Sequence, residues 1–166
     1  MPGDLNTIVT LAGPNDKAAI AALMAAMDLH YQGSTLGNLE EQIARVDTYM
    51  DEADNGTSYA IARLEGEPAG IACFTLFRNG LIHPGSVFLK DLFVLNSARG
   101  NSIGQKLMEF VARYAHDKGA DRIDLSVDVP NTGAAHFYEP LGGKAVDSKR
   151  FFRFSSEAVA SLAGRS

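Results

Sequence analysis

The stretch Leu92-Phe93-Val94-Leu95-Asn96-Ser97-Ala98-Arg99-Gly100-Asn101-Ser102-Ile103-Gly104-Gln105 decides how this sequence is read. It leaves an apolar run, crosses small and polar residues, and enters a segment whose apolar residues recur at helical spacing. A helix start exposes about four unpartnered N–H groups and carries roughly half a positive charge. Gly100, Ser102 and Gly104 keep bulk out of the turn, and Arg99 and Lys106 add positive charge beside it. The combination suits a pyrophosphate held by main-chain amides. Two other phosphate motifs fail on spacing. A P-loop needs four residues between its glycines, then Lys and Ser or Thr; here Gly100 and Gly104 are separated by three, and Gln105 follows. The Gly-x-Gly-x-x-Gly dinucleotide fingerprint is absent, as is its βαβ setting. Taken alone, the loop is equally well a tight strand-to-helix turn.

Downstream, Ile103, Leu107, Phe110, Val111 and Tyr114 form one apolar stripe opposite Gln105, Lys106, Glu109, Arg113 and Asp117, with Gly119 as C-cap. Ile123, Leu125, Val127 and Val129 alternate with Asp124, Ser126 and Asp128, which predicts a strand over 123–129. A short helix is expected over 131–138, ended by Pro140 and Gly142-Gly143, then a last strand over 151–154 and a short amphipathic tail.

Upstream, 87–94 is apolar on both faces, as a central strand should be. Strands over 58–64 and 69–77 flank the hairpin turn Glu65-Gly66-Glu67-Pro68, and Arg78-Asn79-Gly80 closes the second. Leu39, Ile43, Val46 and Met50 stripe one helix, ended by Asp54-Asn55-Gly56. Ile20, Leu23, Met24 and Met27 stripe another, started by Gly13-Pro14-Asn15-Asp16. A first strand is expected over 7–12. The order β-α-α-β-β-β-α-β-α-β implies one α+β domain over 1–166, a mixed, mostly antiparallel sheet flanked by helices.

Composition narrows the function classes. The 166 residues are 46% hydrophobic and 21% charged, enough for a core in a soluble protein. No apolar run approaches the roughly 20 residues of a membrane span, and Met1-Pro2-Gly3-Asp4 does not open a secretory signal. A cytoplasmic protein without a membrane partner is therefore expected. The net charge of −5 argues against a nucleic-acid partner. Cys73, the only cysteine, excludes an internal disulfide and a multi-cysteine zinc site, and no His–carboxylate spacing suggests a metal.

A second constellation gives the phosphate-binding turn its meaning. About thirty residues on comes Asn131-x-x-Ala134-x-x-Phe137-Tyr138-x-x-Leu141-Gly142. Together the two motifs resemble the GNAT superfamily of N-acetyltransferases. Its acyl-CoA motif, [Gln/Arg]-x-x-Gly-x-[Gly/Ala], corresponds to Arg99-x-x-Ser102-x-Gly104, with Ser102 where the family usually has Gly. Ser can hold that turn if its φ stays negative. The resemblance is strong from Leu89 to Gly142 and follows element order elsewhere.

The resemblance implies acetyl-CoA as co-substrate and the following roles. Leu92, Phe93 and Val94 would border the pantetheine arm, with Phe93 and Val94 offering it backbone groups and one such N–H polarising the acetyl carbonyl. Arg99, Gly100, Asn101, Ser102, Ile103, Gly104 and Gln105 would cradle the pyrophosphate, while Asn131 and Ala134 would serve the pantetheine. Tyr138 would protonate the departing thiolate; a core aromatic is its plainer reading. Cys73, on a predicted core strand, reads as packing rather than a nucleophile.

The proton acceptor stays open. Asp91 lies on the strand that would border the acetyl group and Asp128 at the end of its neighbour; His30, His83 and His136 have no partner at a telling spacing, and His116 belongs to a polar helix face. The back half looks closest to the diamine and polyamine branch, through 88–94 and Arg150-Phe151-Phe152-Arg153-Phe154 with Ser156-Glu157. Lys90 stands where that branch usually has an acid. A cation there repels a second ammonium group, so a monoamine, an amino acid or a short diamine fits better than spermine. Asp28, His30 and Tyr31 are further substrate candidates, with Lys90 and Asp128. A homodimer is expected, since relatives are commonly dimers. Two alternatives stand beside a small-amine acetyltransferase: a non-catalytic acyl-CoA sensor, and an acetyltransferase of proteins or peptides.

Overall fold

A computed structural model describes residues 6–51, 56–78, 80–82 and 84–164. The expected helix end at Asp54-Asn55, the turn residue Asn79 and the candidate His83 lie outside them. The chain divides into two compact units, 1–126 and 127–166.

The first unit is built on one sheet of five strands in the order β1-β2-β3-β4-β5. β1 (Thr7–Leu11), β2 (Thr57–Leu64), β3 (Glu67–Phe77) and β4 (Ser86–Val94) pair antiparallel in sequence; β5 (Arg122–Leu125) joins β4 in parallel. The β2–β3 turn falls where Glu65-Gly66 predicts it, with both residues at positive φ. A parallel partner needs a crossover, which α3 (Ile103–Asp117) supplies.

The two sheet faces have different covers. Ile20, Ala21 and Leu23 of α1 (Lys17–Gln32) and Val46 of α2 (Leu39–Asp51) pack with Tyr59, Ile61, Ile71 and Phe93 in one buried cluster. The other cover is α3: of the stripe read from sequence Ile103, Leu107 and Val111 are buried and Phe110 and Tyr114 half-buried, and Ala115, outside that stripe, is buried as well. Its Tyr114 ring meets Phe74 of β3 edge-on at 5.0 Å between centroids. The α1 start is tied to the sheet where Gly13 donates its N–H to Asp16 Oδ2 at 2.8 Å, and Arg63 Nη2 reaches Asp16 Oδ1 at 2.6 Å. The Gly13 amide, chiefly, and the Arg63 guanidinium hold the Asp16 carboxyl below its ordinary pKa.

The second unit contains α4 (Thr132–Tyr138) and α5 (Ser156–Ala163). Two expectations fail near and within it. The strand predicted over 123–129 ends at Leu125, because a strand exists only where a ladder pairs it, and β4 offers β5 partners only through Leu89. The chain then turns, Asn131 donating its N–H to the Asp128 carbonyl at 2.8 Å, so Asp128 lies in a turn rather than at a strand end. The aromatic run at 151–154 is irregular and unladdered among the described residues, with Phe152 79% exposed. Its composition suits a strand, but composition supplies no partner. The expected amphipathic tail is α5, capped by Ser155 Oγ accepting from the Ala158 N–H at 3.2 Å.

Candidate functional site

The site begins with one extra residue in β4. Cys73 pairs with Asp91, but the next residue of β3, Phe74, pairs with Leu89; Lys90 is the unmatched residue of a β-bulge. In an unbroken strand, Leu89, Asp91 and Phe93 would share a face. The bulge separates them. Leu89 lies opposite Phe74, on the α3 face, whereas Asp91 and Phe93 lie opposite Cys73 and Ile71, on the face covered by α1 and α2.

The bulge also marks where β4 loses its other neighbour. β5 pairs only with residues from Ser86 to Leu89, so residues 90–94 of β4 have no ladder on that edge among the described residues. Five strand residues span about 16 Å. Leu95 donates its N–H to the Ala69 carbonyl of β3 at 2.9 Å, and strand alternation fixes the rest. The Phe93 amide and carbonyl face β3; those of Leu92 and Val94 face the open edge. The sequence pairs Phe93 with Val94 as the backbone groups expected at this edge; in the register observed, Leu92 and Val94 are the pair that face it. Arg99 Nε approaches the Val94 carbonyl at 3.4 Å, at the end of this edge.

The chain then makes a 3₁₀ turn, Asn96–Ala98, with Ala98 buried and Asn101 Nδ2 donating to the Ala98 carbonyl at 3.0 Å. Gly100 has φ +83°. Ser102 has φ +56°, so the negative φ with which a serine holds such a turn without strain is not what the turn adopts. The left-handed region costs a non-glycine residue about 1–2 kcal/mol. It also takes Ser102 out of the extended conformation from which a serine normally caps a helix, and its side chain makes no cap bond. The first intrahelical bond runs from the Lys106 N–H to the Ser102 carbonyl, 3.0 Å. The amides of Ile103, Gly104 and Gln105 thus open α3 without a serine cap, while the Ile103 side chain, 1% exposed, anchors the turn in the core. An open strand edge leads straight into this helix start. The pair can receive an extended amide-bearing chain that ends in phosphate.

The face carrying Asp91 has its own chemistry. Tyr59, Cys73 and Asp91 are cross-strand neighbours on β2, β3 and β4. Burial pushes the Tyr59 phenol and the Cys73 thiol each up to about 12, with the Asp91 charge adding to both. A thiol held protonated at neutral pH supports the packing role for Cys73. Phe93, buried, lies against two rings from the end of α1: His30 at 5.9 Å and Tyr31 at 6.3 Å between centroids, with His30 and Tyr31 4.8 Å apart. Lys90 Nζ stands 3.5 Å from Asp91 Oδ1. His30 and Tyr31 thus lie against Phe93, two residues along β4 from Asp91, and Lys90 meets Asp91. Asp28, half-buried one turn earlier on α1, makes no ion pair among the described residues. Sequence reading missed Tyr59 and the floor role of Phe93, since cross-strand register leaves no local signal.

In the second unit, Asn131 caps α4, its Oδ1 accepting from the Ala134 N–H at 3.1 Å. The Phe137 and Tyr138 rings meet edge-on at 5.0 Å. Gly143 donates its N–H to the Tyr138 carbonyl at 3.0 Å, and a Cβ at Gly143 would come within 3.3 Å of Tyr138 Cβ, so Gly142-Gly143 is a close turn against the end of the helix. Asp128 and His136 are exposed. Among the described residues no group of three or more His, Cys, Asp or Glu could hold a metal ion, and no helix is long and apolar enough to cross a membrane.

Comparison with known proteins bears on the fold and the family. The chain is similar to the mouse (Mus musculus) thialysine N-epsilon-acetyltransferase, 36% identical over 83 residues, covering 48% of this chain and 49% of the relative. An uncharacterized N-acetyltransferase of Methanocaldococcus jannaschii is 29% identical over 85 residues, covering 51% of this chain and 38% of its own. The chain thus spans about half the length, or less, of these curated relatives. Among solved structures, a V. cholerae integron cassette protein superposes with a TM-score of 0.87 at 23% identity, covering 95% of this chain and 98% of the other. The aminoglycoside N-acetyltransferase AAC(6')-Iy in complex with CoA gives 0.71 at 19% identity, covering 93% and 98%. At such identities these two speak for the fold. The family model described as "Acetyltransferase (GNAT) family" matches residues 23–142, most of the chain, and it is to this family that the chain belongs.

Proposed function

We propose that this protein is an N-acetyltransferase that transfers acetyl from acetyl-CoA to a primary amine of a small molecule, by direct attack in a ternary complex. The observation that carries the reading is the open edge of β4 at Leu92 and Val94 running into the uncapped start of α3.

The donor set fits acetyl-CoA. Leu92 and Val94 offer the edge amides and carbonyls that an amide-bearing pantetheine arm can pair with. The amides of Ile103, Gly104 and Gln105 suit the diphosphate, with Arg99, Gly100, Asn101 and Ser102 forming the turn around it. Asn131 and Ala134 are assigned to the pantetheine by motif. Acetyl-CoA supplies an activated thioester: the amine nitrogen bonds to its carbonyl carbon as the carbon–sulfur bond breaks, giving an amide, CoA and one surplus proton on nitrogen. Asp91 is assigned to receive that proton, directly or through water; a carboxylate half-buried beside the Phe93 floor is suited to it. Tyr138 is assigned to return a proton to the thiolate. An edge amide polarises the acetyl carbonyl, a task for which prealigned backbone donors are effective.

The mouse relative's name, which specifies an amine of an amino acid, favours a small acceptor over a protein one. We further assign the two units to one cytoplasmic acetyltransferase domain acting as a homodimer, for which the exposed Phe151, Phe152 and Phe154 provide apolar surface. Thiol release from acetyl-CoA with a panel of amines tests the activity. Amine-dependent release is expected; CoA binding without turnover on any amine would instead mark a sensor domain.

A further inference from the structure

We infer that the acceptor is a zwitterion, an amine that also carries a carboxylate, and that Lys90 is the residue that selects it. The inference rests on the acetyltransferase reading and refines it.

The β-bulge puts Lys90 and Asp91 side by side, a cation and an anion 3.5 Å apart where the sheet opens. Asp91 turns toward the face lined by Cys73 and the α1–α2 cluster. The Lys90 charge also reaches Cys73, whose pKa burial chiefly raises and Asp91 raises further, while Lys90 draws it down. Lys90 is 68% exposed in its side chain, and its only ion pair among the described residues is this long contact with Asp91. At 3.5 Å and on the surface, such a pair is weak and easily exchanged for ligand groups.

An amine with one positive charge would be served by Asp91 alone. A diamine would bring a second ammonium toward Lys90 and be repelled. An amino acid answers both side chains, its ammonium toward Asp91 and its carboxylate toward Lys90. With charge-assisted bonds of about 2.8 Å at each end, the two side chains can bridge an acceptor whose charges are up to about 9 Å apart. That range covers ω-amino acids with four to six carbons. The exposed rings of His30 and Tyr31 over Phe93 give the intervening methylenes an apolar wall.

The test uses acceptors with one amine or two and no second route: 4-aminobutanoate and 6-aminohexanoate, butylamine and hexylamine, and 1,4-diaminobutane and 1,6-diaminohexane. Thiol release from acetyl-CoA gives kcat/KM for each. The wild-type protein is expected to rank amino acid above monoamine above diamine. Lys90→Glu should reverse amino acid and diamine, changing their ratio about tenfold or more, and Lys90→Gln should fall between. If the diamines equal the amino acids in the wild-type protein, or if their ratio ignores both substitutions while activity persists, the inference is overturned. Absence of release with every amine in every variant would strike at the acetyltransferase reading itself.

Discussion

At Gly70, β3, β4 and α3 approach closely, and Gly70→Ala tests whether that approach sets up the donor site. Gly70 pairs with Val94 and does not need a left-handed backbone; its requirement is space. A Cβ there would stand 3.0 Å from the Phe93 carbonyl oxygen, 3.1 Å from Ile103 Cγ2 and 3.2 Å from Leu107 Cδ1. Carbon atoms pack comfortably at about 3.5–4.0 Å. The carbonyl is main chain and cannot rotate away, and Ile103 and Leu107 are 1% and 0% exposed, so neither side chain has room to retreat. Overpacking of this kind costs about 1–3 kcal/mol. The reduced freedom of the unfolded chain returns about 0.4–1 kcal/mol. The clash wins, leaving a loss of about 1–2 kcal/mol, which for a chain of this size lowers Tm by roughly 2–8 °C.

The relief available is for α3 to move outward, and its first residue is Ile103. The amides assigned to the diphosphate would move with it, so CoA affinity should fall as well. Thermal melting with and without CoA, followed by calorimetric titration, reads both effects. A variant with an unchanged Tm and an unchanged CoA Kd would refute the claim that this close packing positions the start of α3.

Ser102→Gly should raise stability by about 0.5–1 kcal/mol, the left-handed penalty less the added chain entropy of glycine, read as a higher urea midpoint. An unchanged or lower midpoint would mean that the positive φ at Ser102 carries no strain. Asp91→Asn should lower kcat about 10²-fold while leaving CoA titration unaltered; wild-type kcat would remove Asp91 as proton acceptor. Tyr138→Phe should likewise lower kcat about 10²-fold with unchanged CoA binding, and a normal kcat across the pH profile would take Tyr138 out of the mechanism. Tyr59 and Cys73 both have folded pKa values near 12, above their ordinary 10.0 and 9.0. Their neutral forms are favoured by the fold, so stability should hold below about pH 9 and decline as pH rises toward 12, while the unfolded chain ionises and the folded one does not. Urea midpoints from pH 8 to 11 check the sign; a midpoint that rises with pH over that interval contradicts it.

The elements of the first unit were legible because each announces itself locally. The α3 stripe from Ile103 to Tyr114, the Glu65-Gly66 turn and the strand-turn-helix at Leu92–Gln105 need no knowledge of what lies across the sheet. The misreadings of strands concern pairing. The alternation through Val127 and Val129 continues past the last residue of β4 able to partner it, and Val129 ends 95% exposed. The aromatic run at 151–154 has strand composition and no ladder among the described residues. The sign of φ at Ser102 depends on how α3 must leave the turn, which no residue type reports. Within the site, His30, Tyr31, Lys90 and Asp91 were named from sequence, but the face to which Asp91 and Phe93 turn was not. It comes from the register shift between Cys73 and Phe74.

That shift links the two halves of the proposed reaction. A bulge bends its strand and increases local twist, and β4 parts from β5 at the residue where the bulge sits, so the insertion of Lys90 and the open edge coincide. By taking Lys90 out of the alternation, the bulge leaves Asp91 and Phe93 turned away from the α3 face that Leu89 occupies and toward α1 and α2. Side chains alternate strictly along a strand, so if Lys90 were paired in regular alternation instead of bulged, Asp91 and Phe93 would share the face of Leu89. The carboxylate and its aromatic floor would then lie on the face that α3 covers, and the α1–α2 side of the open edge would carry no carboxylate. An exposed strand edge is ordinarily a liability for pairing with other chains. Here the edge is only five residues long, is flanked by Lys90 and Asp91 at one end, and meets Arg99 at the Val94 carbonyl at the other. Those charges discourage a neutral strand from adding to it, while an anionic ligand that ends at the start of α3 meets Arg99 and the helix dipole as attractions.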